Sequence, residues 1–123
     1  MNMEEMIDKY FRPGRLPHIW CPGCGNGIVT GCIVKAVAKL DLAKDNVAVI
    51  SGIGCSSRAS GYLDFNTVHS AHGRALPVAT GVKLADPNLT VLVVTGDGDA
   101  TAIGGNHLIH AARRNIDMTV VLY

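Results

Sequence analysis

From Ile28 onward the apolar residues Ile28, Val29, Cys32, Ile33, Ala36, Val37 and Leu40 return at three- and four-residue intervals, with Lys35 and Lys39 on the opposite side. That spacing predicts a helix from about 25 to 41 with its apolar stripe against a core. The run from Val47 to Ser51 has no such period. It is short, apolar and β-branched, and ends in Gly52 and Gly54, as a buried parallel strand entering a turn does. A second helix is expected between Arg74 and Ala85, closed by Asp86-Pro87. Thr90 to Thr95 is the clearest strand, and Gly96-Asp97-Gly98-Asp99 follows it at once. A helical stretch over about 103–114 and an apolar β run from Met118 to Tyr123 complete a strand–turn–helix–strand order. Residues 1–20 hold Arg12, Pro13, Gly14, Arg15 and Pro17 and read as an irregular lead-in to a unit over 21–123.

Strands alternating with helices imply an α/β fold, a parallel sheet with helices on both faces in three layers. The chain stops inside or just after its last strand, so the domain is expected to be incomplete at the C-terminus. With 48% hydrophobic residues in 123, one ordinary domain with a real core is within reach. A formal charge of +1 marks no basic face, which argues against a nucleic-acid partner. Glu4, Glu5 and Asp8 near the start do not suit a secretory signal, and no apolar run approaches the roughly 20 residues that cross a bilayer. A cytoplasmic protein with no membrane partner is the expectation. Four cysteines in such a chain read as reduced thiols or metal ligands rather than disulfides.

The chemistry gathers in a few short motifs. Gly96-Asp97-Gly98 lies at the carboxyl end of a buried strand, the edge where open α/β sheets bind ligands. Its glycines let backbone approach a diphosphate, and Asp97 can ligate Mg²⁺; the alternative is a tight turn with Asp97 or Asp99 capping the next helix. Cys21-Pro22-Gly23-Cys24 opens a helix, with Cys55 further on in Gly52-Ile53-Gly54-Cys55-Ser56-Ser57-Arg58. Such thiols serve as zinc or iron–sulfur ligands or as a redox pair. No strand precedes Cys21, against a thioredoxin-like motif, and no second close pair exists for a structural zinc. Cys32, on the apolar helix stripe, is expected to pack in the core. His72 lies either near a cofactor or in a satisfied structural position. Arg58 and Arg74 could each hold a carboxylate or be surface charges.

Together, Trp20-Cys21-Pro22-Gly23-Cys24-Gly25, the Gly52–Arg58 segment, His72-Gly73-Arg74-Ala75-Leu76-Pro77 with Ala79-Thr80-Gly81, and Gly96–Asp99 leading to His110–Asn115 resemble the beta subunits of 2-oxoacid:ferredoxin oxidoreductases, most closely the 2-oxoglutarate type. The resemblance runs from about Leu16 to Tyr123. It implies a thiamine-diphosphate-binding fold and CoA-dependent oxidative decarboxylation of a 2-oxoacid, with electrons passed to ferredoxin. Thiamine diphosphate with Mg²⁺ is implied beside a [4Fe-4S] cluster, with Cys21, Cys24 and Cys55 matching three of its four ligands and Asp97 the Mg²⁺ ligand. Gly54, Ser56, Gly96, Gly98 and Asp99 would line the cofactor, and Arg58, His72 and Arg74 would be candidates for catalysis. A partner alpha subunit would supply the carboxylate that activates the cofactor. The remaining Mg²⁺ ligands and the last cysteine would fall beyond Tyr123. Two other readings compete: a non-redox thiamine-diphosphate decarboxylase half-domain, with no use for the cysteines, and a non-enzymatic C-x-x-C metal-binding module.

Overall fold

The structure, a computed structural model, describes all 123 residues. Its centre is a parallel sheet of four strands: β1 (Val47–Ser51), β2 (Asn66–His69), β3 (Thr90–Thr95) and β4 (Thr119–Leu122), in the order β2-β1-β3-β4. Five α-helices accompany it: α1 (Met3–Tyr10), α2 (Asn26–Lys39), α3 (Ala59–Tyr62), α4 (Ala75–Ala85) and α5 (Gly105–Arg113). None is long and apolar enough to cross a membrane.

β1 is buried along its whole length, which is why it reads as an unbroken apolar run. Successive side chains point to opposite faces of the sheet. Val47 and Val49 join Val94 in a core with Tyr10, Trp20, Ile33, Val34, Val37 and Leu63, on the side that α2 covers. Ala48 and Ile50 join Val91 and Val93 on the other side, with Ala75, Leu76 and Ala79 of α4 and, more peripherally, Leu108 and Ala111 of α5. Each fully buried Val or Ile contributes roughly 1.5–3 kcal/mol relative to an exposed one. Two cores, one on each face of one sheet, make the expected three layers.

Three expectations need correction. Residues 1–20 are not irregular throughout, since α1 spans Met3–Tyr10 with a complete capping box: Glu5 N donates to Asn2 Oδ1, and Asn2 N donates to Glu5 Oε2. Tyr10, at its end, is a fully buried member of the core. Secondly, the buried face of α2 is rotated from the predicted stripe. Asn26, Thr30, Ile33, Val34 and Val37 face inward, while Ile28 and Leu40 are 73% and 68% exposed and Cys32 is exposed rather than packed in the core. The reason is local. Asn26 and Thr30 can be buried because their polar atoms are bonded within the first turn, and Met3, Met6 and Ile7 of α1 draw alongside Ile28 and Cys32 without closing a cavity of about 340 Å³. The third correction lies before α5, which begins at Gly105 and is preceded by a π-helical turn over Gly98–Ala102.

Candidate functional site

Strand order places the site. From β1 the chain moves to one side of the sheet to form β2, then crosses back over β1 to form β3 on the other. The loops that leave β1 and β3 therefore part at their carboxyl ends, and ligands of open α/β sheets bind in such a crevice. Gly52–Ser57 follows β1, Gly96–Asp99 follows β3, and the first turn of α2 closes the third side. A cavity of about 470 Å³ lies there, lined by Gly96, Asp97, Gly98 and Asp99, by Ile53, Gly54, Cys55 and Ser56, by Cys24, Gly25, Asn26 and Val29, and by His72 and Tyr123.

The two aspartates of the glycine-rich turn do different things. Asp97 is exposed and borders the cavity. Asp99, 3% exposed, turns inward and ties three segments together. Its Oδ1 accepts from Gly73 N at 2.7 Å, His72 Nδ1 at 2.7 Å and Ile53 N at 3.2 Å, and its Oδ2 accepts from Thr95 Oγ1 at 2.7 Å. Burial pushes the Asp99 carboxyl up, but the bonds from Gly73, Thr95, Ile53 and His72 together outweigh it and hold the group below its ordinary value. Gly52 is required beside it, because a Cβ there would collide with the Asp99 carboxylate. Gly54, at φ +135°, takes a backbone conformation that side chains rarely adopt and leaves open space on the cavity side.

A second cavity, of about 610 Å³, adjoins the first and is lined by Cys21, Cys24 and Cys55 together with Ile19, Trp20, Asn26, Ile53, Gly54, Arg58 and His69. All four cysteines are free thiols. The C-x-x-C turn is closed by Cys24 N donating to Cys21 O at 3.1 Å, and Asn26 Nδ2 donates to Cys24 Sγ at 3.1 Å. Trp20 Nε1 donates to Cys55 O at 2.6 Å, fixing the third cysteine against the first two, and His18, tilted against the indole, and Tyr62, edge-on to it, brace that ring.

Arg58 borders the cysteine cavity alone. His72 borders the first cavity, its Nδ1 engaged by Asp99. Arg74 lines neither. Its Nη1 donates to the carbonyls of Gly73, at 3.1 Å, and Ile103, at 3.5 Å, which ties it to the loop before α5. Trp20 and Asn26, which position two of the cysteines, were not among the predicted site residues. Trp20 stood next to the C-x-x-C in the sequence, but nothing there says that its indole reaches Cys55.

Two implied groups can be tested against these surroundings. The Ser56 hydroxyl is buried, borders the first cavity and has no hydrogen-bond partner in the chain, as a donor to a diphosphate would be. Asp97 adds an exposed carboxylate, and Gly54 and Gly98 leave open space where a Cβ would stand. Thiamine diphosphate with Mg²⁺ fits this donor set. No three His, Cys, Asp or Glu side chains are close enough to hold a single metal ion. Cys21, Cys24 and Cys55 nonetheless line one cavity, and cysteine thiolates are the ligands that an iron–sulfur cluster takes.

Comparison with known proteins identifies the family and the fold. The 2-oxoglutarate synthase subunit KorB of Methanothermobacter thermautotrophicus is 58% identical over 113 residues, covering 92% of this chain and 40% of the relative. That of Archaeoglobus fulgidus is 60% identical over 120 residues, covering 98% and 45%. The chain thus spans less than half the length of these curated relatives. Among solved structures, 2-oxoglutarate:ferredoxin oxidoreductase from Magnetococcus marinus, with 2-oxoglutarate, coenzyme A and succinyl-CoA bound, superposes with a TM-score of 0.89 at 45% identity, covering 94% of this chain and 39% of that one. The resemblance read from the motifs is borne out by these relatives. Residues 52–123 match the family described as thiamine pyrophosphate enzyme, C-terminal TPP binding domain, and the chain belongs to that family.

Proposed function

We propose that the chain is the thiamine-diphosphate-binding part of the beta subunit of a 2-oxoglutarate:ferredoxin oxidoreductase, which carries out CoA-dependent oxidative decarboxylation and passes the electrons to ferredoxin. One observation carries this reading: the two cavities share a wall. Cys24, Asn26, Ile53, Gly54 and Cys55 line both, so a cofactor at Gly96–Asp99 and a cluster between the cysteines would be neighbours. A non-redox decarboxylase has no use for that neighbourhood, and a bare metal-binding module has no use for the first cavity. The ligands named for the Magnetococcus marinus structure support the choice of 2-oxoglutarate and coenzyme A.

In this reading Asp97 binds Mg²⁺, Ser56 donates its hydroxyl to the diphosphate, and the backbone of Gly96 and Gly98 lies along it. Thiamine diphosphate supplies, when bound, the electron sink for loss of CO₂. Asp99 is a positioning residue, since its oxygens are occupied within the chain. It keeps His72 as an Nδ1–H donor and leaves Nε2 as the nitrogen free to meet a reacting group. Cys21, Cys24 and Cys55 hold three irons of a [4Fe-4S] cluster, and Arg58, on the same cavity, places a cation beside it. The alpha subunit contributes the carboxylate that activates the cofactor.

The test uses the full-length beta subunit with its alpha partner, handled anaerobically. Asp97→Ala should lose thiamine-diphosphate affinity in calorimetry and keep its iron, whereas Cys55→Ala should lose cluster iron and keep the cofactor. Unchanged cofactor affinity in the first variant, or full iron in the second, sinks the assignment.

A further inference from the structure

Asn26 is the first residue of α2 and only 9% exposed, an uncommon place for a primary amide. Its Nδ2 lies 3.1 Å from Cys24 Sγ. Its position is held independently of that contact: Thr30 Oγ1, 1% exposed, donates to the Asn26 carbonyl at 2.9 Å and lies 3.3 Å from Tyr123 Oη. These bonds fix the backbone of the first turn, from which the buried side chain reaches the sulfur. The same side chain stands in the wall common to the two cavities.

We infer that Asn26 is a positioning residue that sets the reduction potential of a cluster held by Cys21, Cys24 and Cys55, by donating a side-chain N–H to the Cys24 sulfur. This rests on the cluster assignment proposed above. An iron-bound cysteine sulfur can only accept, so it selects the NH₂ end of the amide and not the oxygen. One electron enters the cluster on reduction, no bond breaks, and charge builds on iron and sulfur together. A hydrogen bond to sulfur is therefore stronger in the reduced state and raises the potential, one of the levers by which proteins tune such centres. Placed in the wall common to both cavities, the amide makes the cluster a better acceptor for electrons leaving the neighbouring cavity.

The test is an anaerobic redox titration of the intact enzyme followed by electron paramagnetic resonance, comparing wild type with Asn26→Leu and Asn26→Asp. Leu keeps the volume and removes the donor; Asp is nearly isosteric and sets a negative charge against the sulfur. Both variants should keep their iron. At a fixed solution potential the ratio of reduced to oxidised cluster should fall about three- to tenfold in Asn26→Leu, tenfold corresponding to about 59 mV for one electron, and further in Asn26→Asp. Wild type labelled with ¹⁵N-asparagine should show a weak nitrogen coupling in the spin-echo spectrum of the reduced cluster, absent from Asn26→Leu. Full iron with an unmoved potential in both variants overturns the inference. Loss of iron in both overturns it too, because the amide would then hold the cluster rather than tune it. A wild-type enzyme without a cluster signal would instead refute the cysteine assignment and remove the basis of this one.

Discussion

Replacing Asp99 tests how the site is held together. In Asp99→Ala four donors lose their acceptor, and they do not suffer equally. The His72 ring is about half exposed and can turn to water, and the Thr95 hydroxyl has a second acceptor in Gly96 O at 3.3 Å. The Gly73 N–H, on a buried residue, has no such recourse, whereas the Ile53 N–H sits on a residue 44% exposed and makes the longest of the four bonds. An unsatisfied buried donor costs about 1–3 kcal/mol, so with Gly73 as the one buried donor left without an acceptor the variant should lose roughly 2–3 kcal/mol, a sizeable share of the ~5–15 kcal/mol typical of a whole protein. Asp99→Asn separates the geometry from the charge. Its oxygen can still face Gly73, Ile53 and His72, while its NH₂ donates to Thr95, whose own hydrogen turns to Gly96. The remaining loss is the charge assistance, about 1 kcal/mol. Urea unfolding monitored by circular dichroism measures both. If Asp99→Ala lies within 1 kcal/mol of wild type, or Asp99→Asn is as damaging as Asp99→Ala, Asp99 does not organise these loops.

Gly52→Ala forces a methyl into the Asp99 carboxylate and should cost at least ~1–3 kcal/mol, whereas Gly31→Ala, with nothing within 4 Å of its added Cβ, should leave stability unchanged or raise it by up to ~1 kcal/mol; thermal melts of the pair decide. Cys32→Ala should change stability by no more than ~0.5 kcal/mol, and the native Cys32 thiol should react readily with a soluble disulfide reagent, because it is exposed; protection from the reagent would restore the core reading. The Asp64 carboxyl is held below its usual value, first by the hydrogen bond from Lys44 and then by that ammonium's charge. Its contribution is therefore present above the unfolded pKa near 3.8 and fades as pH falls through the lower folded value, so Asp64→Asn should flatten the acid limb of a stability-against-pH curve below about pH 4 and leave the neutral range unaltered in slope.

The elements legible in the sequence were those whose pattern comes from burial on both sides. Val47–Ser51 and Thr90–Thr95 are apolar in all but their terminal residues because each lies inside the sheet with a core on either face. β2 escaped notice for the opposite reason: Asn66–His69 is a short, mostly exposed edge with no apolar run to mark it. α1 did carry its signal, in Asn2 and Glu5 spaced as a capping box, but the acidic residues and the prolines beyond obscured it. At the site, Gly96-Asp97-Gly98 and the cysteines announced themselves by residue type and spacing. That Asp97 is exposed while Asp99 is buried depends on the π-helical turn that starts at Gly98, and no local pattern in Gly-Asp-Gly-Asp distinguishes the two. The inward face of α2 was missed because Asn26 and Thr30 are polar residues buried through bonds to their own turn, which a count of apolar positions does not register.

The crossing from β2 over β1 to β3 also sets an order of events as the chain is synthesised. Ile53 and its carboxylate partner Asp99 are separated by 46 residues, and His72 and Asp99 by 27. Until β3 has emerged and paired beside β1, the loop after β1 has nothing to close against, and the crevice that depends on both loops cannot exist. Contacts of such sequence separation form late and slowly, because the intervening loops must first be closed. The cysteines at 21, 24 and 55 leave the ribosome before that latch does, so their thiols are presented before the crevice beside them exists.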